Sequence, residues 1–210
     1  MKSARVLDSQ ENSFQSFLRD MNNDVITIVS GLPRSGTSMM MQMLAAGGLP
    51  VLCDNCRAAD EDNPRGYYEF ERVKLIRQDV SWLPLAKGKA VKIISELLRH
   101  LPPNYSYRVI FMQRRLEEIL ASQHEMLIRR GRFAGQGGDK GRIGLFHRHL
   151  TRVASWLKKQ SHFSILRVDY GAVIANPTEQ SKMIARFLDN AMAIEDMARA
   201  VDPSLYRQRR

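Results

Sequence analysis

The sequence predicts an α/β fold: a central, mostly parallel sheet with helices on both faces. Three observations predict it. Short β-branched apolar runs alternate along the chain with segments of helical apolar spacing. A glycine-rich turn lies directly between the first run and the first helix, the unit from which parallel sheets are wound. The 210 residues, 44% hydrophobic and 26% charged, suffice for one buried core.

The elements follow in order. Residues 1–12 read as a loose arm and 13–20 as a short helix, so residues 1–23 are set apart from one domain over 24–210. Val25 to Val29 (VITIV) is a buried strand. Ser30 to Gly36 is a loop, and Thr37 to Ala46 is a helix stopped by Gly47-Gly48. Pro50 to Cys53 reads as a second short strand, then an acidic loop, then a helix from about Tyr68 to Asp79. Lys89 to Ile94 is a strand, Glu96 to Leu101 a short helix, and Tyr107 to Met112 another strand. Leu116 to Ile128 has helical apolar spacing. Residues 131–144 are glycine-rich and basic and read as part of a mobile loop over 129–144. Leu145 to Lys158 is a helix, Phe163 to Val168 a strand, and Thr178 to Leu188 a helix.

Charge narrows the function classes. There are 32 Lys and Arg against 22 Asp and Glu, a net charge of +10, which points to an anionic partner. The excess is uneven. Between Arg129 and Lys159 there are nine basic residues and one acid, a local charge of +8. Between Cys53 and Glu71 six acids face two arginines. The basic stretch holds only Phe133, Phe146 and Trp156 as aromatics, which argues against a nucleic-acid partner. No apolar run reaches the roughly 18 residues of a membrane span. The polar N-terminus shows no secretory pattern. These features predict a soluble, cytoplasmic protein. Cys53-Asp-Asn-Cys56 lacks the two further ligands of a zinc site and any thioredoxin-like context, so both cysteines read as ordinary thiols, and no metal is predicted.

The sharpest motif is Gly31-Leu-Pro-Arg-Ser-Gly-Thr-Ser38, after a strand and before a helix. Glycines let backbone N–H groups converge on an anion, and the helix N-terminus adds its dipole. The nucleotide P-loop has Lys before its Ser/Thr; here Thr37 takes that place and the cation is Arg34. That departure argues against a kinase or NTPase. A second anion station ends the Tyr107 strand at Arg114, with Ser122 two helical turns further on. Arg115 reads as a solvated charge paired with Glu117 or Glu118.

These motifs resemble the PAPS-dependent sulfotransferase superfamily, in its bacterial and carbohydrate-type branches; PAPS is 3′-phosphoadenosine 5′-phosphosulfate. Pro33 to Ser38 resembles the family's 5′-phosphosulfate loop, and Arg114 with Ser122 its 3′-phosphate motif. Trp156-Leu157, Asp169-Tyr170, Asn176-Pro177 and Phe187-Leu188 resemble its later pattern. The resemblance covers most of residues 24–189. It implies a three-layer, P-loop-like fold and transfer of a sulfonate from PAPS to a hydroxyl or amine of a small-molecule or carbohydrate-like acceptor. It implies that Arg34, Ser35, Gly36, Thr37 and Ser38 hold the 5′-phosphosulfate and that Arg114 and Ser122 hold the 3′-phosphate. Tyr170 would lie near the adenine and Lys92 near the transferring sulfonate. Arg129-Arg130-Gly131 loosely resembles a late basic element of the family.

A His two residues after the strand lysine is a feature of the family's small-molecule branch; this chain has Ile94 there, and His100 reads as a helix-end residue. A carboxylate therefore becomes the expected base: Glu69, with Asp62 and Glu61 as alternates, or else Glu69 merely caps a helix. Two other classes stay open. One is a non-catalytic nucleotide- or polyanion-binding module on the same fold. The other, disfavoured by Thr37, is a P-loop nucleotide kinase or NTPase.

Overall fold

The computed structural model describes residues 24–54, 56–131 and 139–207, the side chains of residues 139 and 140 excepted. The expected N-terminal arm and its short helix lie outside these residues, as do residues 132–138 of the basic loop.

Four strands form one all-parallel sheet in the order β2-β1-β3-β4: β1 is Ile26–Gly31, β2 Ala90–Lys92, β3 Tyr107–Gln113 and β4 Phe163–Asp169. The helices are α1 (Thr37–Ala46), α2 (Leu83–Ala86), α3 (Leu116–Arg129), α4 (Asp139–Leu157), α5 (Tyr170–Ala175), α6 (Pro177–Leu188) and α7 (Ile194–Arg199). Strand side chains alternate between faces, so each strand feeds two separate apolar clusters. Ile28, Val91, Val109 and Phe111 join Trp82, Leu83 and Leu157 on one face. Val29, Ala90, Ile110, Met112 and Val168 join Met40, Met41, Leu44, Ile184 and Met197 on the other. Helix residues contribute to both clusters, and the sheet is all-parallel, so the fold is α/β as the alternating pattern predicts. No helix among the described residues is long and apolar enough to cross a membrane.

Several expected elements change. The strand over 50–53 reduces to one bridge, Val51 with Ala90, because β2 offers only three residues to pair with. The helix expected over 68–79 is a 3-10 helix at Glu71–Leu75. Tyr68 takes a left-handed backbone, and Phe70 is extended. The two rings pack against different apolar clusters, which a continuous helix would not permit. The helix expected over 96–101 is likewise a 3-10 turn, Leu98–His100, with His100 at its end as expected. α4 begins at Asp139, so residues 139–144 belong to a helix and not to the basic loop. Ile143 and Phe146 pack with Leu32, Leu116 and Ile119, which extends the helix past its glycines.

Register sets up the functional edge. Val29 lies beside Lys92, Gly31 beside Met112, and Gln113 beside Asp169. Lys92, the loop after β1, Arg114 and Tyr170 therefore fall in a row along the carboxyl edge. The chain leaves β1 for β2 on one side and then returns to its other side for β3. Ligands of parallel sheets bind at such a reversal.

Candidate functional site

The loop from Gly31 to Gly36 carries unusual backbone geometry. Gly31 has φ 150° and Gly36 φ 98°. A Cβ on Gly36 would meet the Tyr170 ring at 2.4 Å, so glycine is demanded by both conformation and space. Arg34 also has positive φ, 74°, a strained position for a side-chain-bearing residue. That geometry throws its guanidinium across the loop. Its Nε donates to Ser122 Oγ at 2.9 Å, and its Nη2 to the Asp62 carbonyl at 3.1 Å. Burial pulls the Arg34 pKa below its ordinary value; Asp62 opposes this, and the nearby Arg114 charge adds to it. Ser35 Oγ is fully buried and has no hydrogen-bond partner among the described residues.

Arg114 directly follows β3, and its side chain is only 8% exposed. Its Nε pairs with Glu118 Oε2 at 2.9 Å, one helical turn into α3. Its guanidinium stacks on the Tyr170 ring at 4.5 Å and the Tyr206 ring at 5.3 Å. Tyr206 Oη donates to the other Glu118 oxygen at 2.7 Å. Of the two carboxylates that the sequence offered to Arg115, Glu118 thus pairs with Arg114. The two stretches read separately along the chain as anion stations line one cavity, and Arg34 reaches the helix that carries Ser122.

Lys92 and Glu69 form the other end. The Lys92 side chain is only 9% exposed. Its Nζ donates to the Tyr67 carbonyl and to Ser38 Oγ, the latter at 3.3 Å, and lies 3.6 Å from Glu69 Oε1. Burial drives its pKa down to about 8, against the opposing pull of Glu69. Glu69 also faces Arg57 Nη1 at 3.3 Å. It is not a helix cap: Asp54 takes the Glu71 amide at 2.6 Å in that role. Asn63 donates to Ser38 Oγ at 2.9 Å, and the Arg57 guanidinium covers the Tyr67 ring. Burial and a hydrogen bond to Asp60 push the Tyr67 hydroxyl up to about 12.

One cavity of about 530 Å³ joins these groups; Arg34, Gly36, Thr37, Ser38, Glu69, Lys92, Arg114, Ser122 and Tyr170 all line it. Of the expected site residues, Ser35 alone is absent from this wall; it opens instead toward a neighbouring cavity behind the loop. Of the alternate carboxylates, Asp62 is nearly buried and pairs with Arg129 and Arg130 at the end of α3, while Glu61 lines the rim. Arg207 lines the same rim and donates to the Glu61 carbonyl at 3.2 Å.

As site residues Arg57, Asn63, Tyr67 and Tyr206 escaped the sequence reading, and Glu118 was named there only as a partner of Arg115. Only Glu118 had a readable signal, its four-residue spacing from Arg114. Among the described residues neither Cys53 nor Cys56 forms a disulfide. Among the described residues no group of three or more His, Cys, Asp or Glu side chains is placed to hold a metal. Compared with known proteins, the chain matches no family model and no curated sequence.

Proposed function

We propose that this protein transfers a sulfonate group from PAPS to a hydroxyl or amine of an acceptor, on a three-layer, P-loop-like fold. The observation that carries the reading is the convergence of Arg34, Ser122 and Arg114 in a cavity whose other end holds Lys92 and Glu69. A cosubstrate with anionic groups at both ends needs cations spaced in this way. Arg34, the 35–38 amides and the α1 N-terminus would hold the 5′-phosphosulfate. Arg114 and Ser122 would hold the 3′-phosphate.

Transfer breaks the S–O bond to the 5′-phosphate and forms one from sulfur to the acceptor. Glu69 would take the acceptor's proton, and the Lys92 ammonium would stabilise charge on the bridging oxygen as it leaves. The ion pairs of Glu69 with Lys92 and Arg57 hold the carboxylate in place but also tie it up. That tie favours a second reading, a module that binds the nucleotide without transferring sulfonate.

Calorimetry with adenosine 3′,5′-bisphosphate (PAP) tests binding. Saturable binding that is lost in Arg34→Gln and in Arg114→Gln supports the site; no binding, or binding untouched by both changes, overturns it. Radiolabelled sulfonate transfer from PAPS into a metabolite extract then separates the enzyme from the binding module.

A further inference from the structure

A second cavity, of about 230 Å³, lies beyond the end of β2 and is lined by Ser95, Arg99, His149, Arg152 and Trp156. Its centre is a pair: Ser95 Oγ lies 2.8 Å from His149 Nε2. The Ser95 residue is 3% exposed, so the hydroxyl sits at the cavity floor. Arg99 and Arg152 stand exposed at the rim and form no ion pair among the described residues. The one carboxylate on the wall, Glu96, is directed to Arg77 at 3.5 Å. Two uncompensated guanidiniums, a hydroxyl and an imidazole thus converge on a space with an aromatic side wall. The neighbouring residue, Ile94, lines the main cavity next to Lys92, so the two cavities meet across one residue.

We infer that this second cavity is an oxyanion subsite, in which Arg99, Arg152, Ser95 and His149 bind a sulfate, phosphate or similar group. Guanidinium forks and a hydroxyl are the donor set that tetrahedral oxyanions take. The group is either free in solution or carried by an acceptor that lies across Ile94 with its reactive atom at Lys92. The subsite itself stands apart from sulfonate transfer; only the acceptor source rests on that reading.

His149 supplies the readout. Burial lowers its pKa; Glu96 pulls the other way, and Arg152 and Arg99 add to the lowering. A bound anion raises it. NMR of the His149 ring, assigned with His149→Gln, would follow a sulfate titration at ionic strength held constant with chloride. The expected result is a saturating shift and a rise in the His149 midpoint. Arg99→Gln with Arg152→Gln should weaken binding about tenfold or more, while Lys158→Gln with Lys159→Gln should not. A linear, non-saturating response, or saturation kept in the Arg99/Arg152 double variant, overturns the subsite. A sulfated monosaccharide, set against its unsulfated parent in PAP-loaded protein, identifies the source. Shifts at both His149 and Ile94 assign the anion to an acceptor, and a shift at His149 alone assigns it to the free ion. PAP calorimetry is independent of all these outcomes, so failure of the subsite and failure of the transfer reading are distinguishable.

Discussion

Arg34 Nε donates a hydrogen bond to Ser122 Oγ at 2.9 Å, joining the loop after β1 to the middle of α3. A loop cation and a helix hydroxyl 88 positions apart thereby address one point in space. Arg114 lines the same cavity as both of them.

Replacing either partner should therefore weaken PAP binding, but unequally. Arg34→Gln removes a charge, and Ser122→Ala a neutral hydroxyl. Losses of about tenfold to a hundredfold for the first and about threefold to tenfold for the second are expected by calorimetry. Equal effects would mean that Arg34 acts only by positioning Ser122.

Tyr206 is a positioning residue for Arg114. Its hydroxyl satisfies one Glu118 oxygen while Arg114 holds the other. Tyr206→Phe leaves that buried carboxylate oxygen short of a donor, at a cost of about 1–2 kcal/mol in urea denaturation. It should also weaken PAP binding about threefold by freeing the Glu118–Arg114 pair. Lower stability with unchanged affinity would reduce Tyr206 to an anchor for the C-terminal segment.

Two glycines separate backbone strain from crowding. Gly36 and Gly66 both have positive φ, but a Cβ on Gly66 meets nothing within 4 Å while one on Gly36 meets Tyr170. Gly66→Ala should cost about 1 kcal/mol from conformation alone. Gly36→Ala should cost at least about 2 kcal/mol, because the Tyr170 ring must move as well. Thermal unfolding of the two variants checks the order.

Lys92 sets a pH dependence whose sign is opposite to that of a stabilising ion pair. Its pKa falls to about 8 on folding through burial, from an ordinary value of 10.5. Between those values the unfolded chain holds the proton and the folded chain does not, so this group's contribution to stability rises with pH. The penalty present below about pH 8 is about 3 kcal/mol, and it fades as pH approaches 10.5. In denaturation at pH 8 and pH 10, wild type should gain on Lys92→Met. A gap that does not change with pH would contradict the lowered pKa.

Glu69→Gln separates binding from transfer. Sulfonate transfer should fall about a hundredfold or more if Glu69 is the base, with PAP affinity nearly kept. Glu69 raises the Lys92 pKa, so the same change should move the Lys92 midpoint below about 8, read by its pH-dependent acylation. Transfer unchanged in Glu69→Gln would shift the base to another carboxylate.

The strand–loop–helix core was legible because its signals are local. β-branched runs mark β1 and β3, glycine marks the turn before α1, and apolar spacing marks α3. The 54–71 segment was not legible. A helix was expected from about Tyr68, yet the rings of Tyr67, Tyr68 and Phe70 are each claimed by a different partner: Arg57, the α1 side of the core, and Trp82. Competition among distant partners leaves no local period to read.

By itself the sequence determined the parallel α/β class and a cationic loop with Arg34 in place of the P-loop lysine. It also marked Arg114, Ser122, Lys92 and Glu69 as candidates. The tertiary structure decided how they meet. Strand register set Lys92 and Arg114 along the carboxyl edge on either side of the β1 loop, and the Arg34–Ser122 hydrogen bond joined the loop to α3 in one cavity. Glu118 went to Arg114, and Tyr206 came from the far end of the chain to complete the pair. The contacts of Tyr206 with Glu118 and of Arg34 with Ser122 join residues 88 positions apart, and those distances exist only once the sheet has formed.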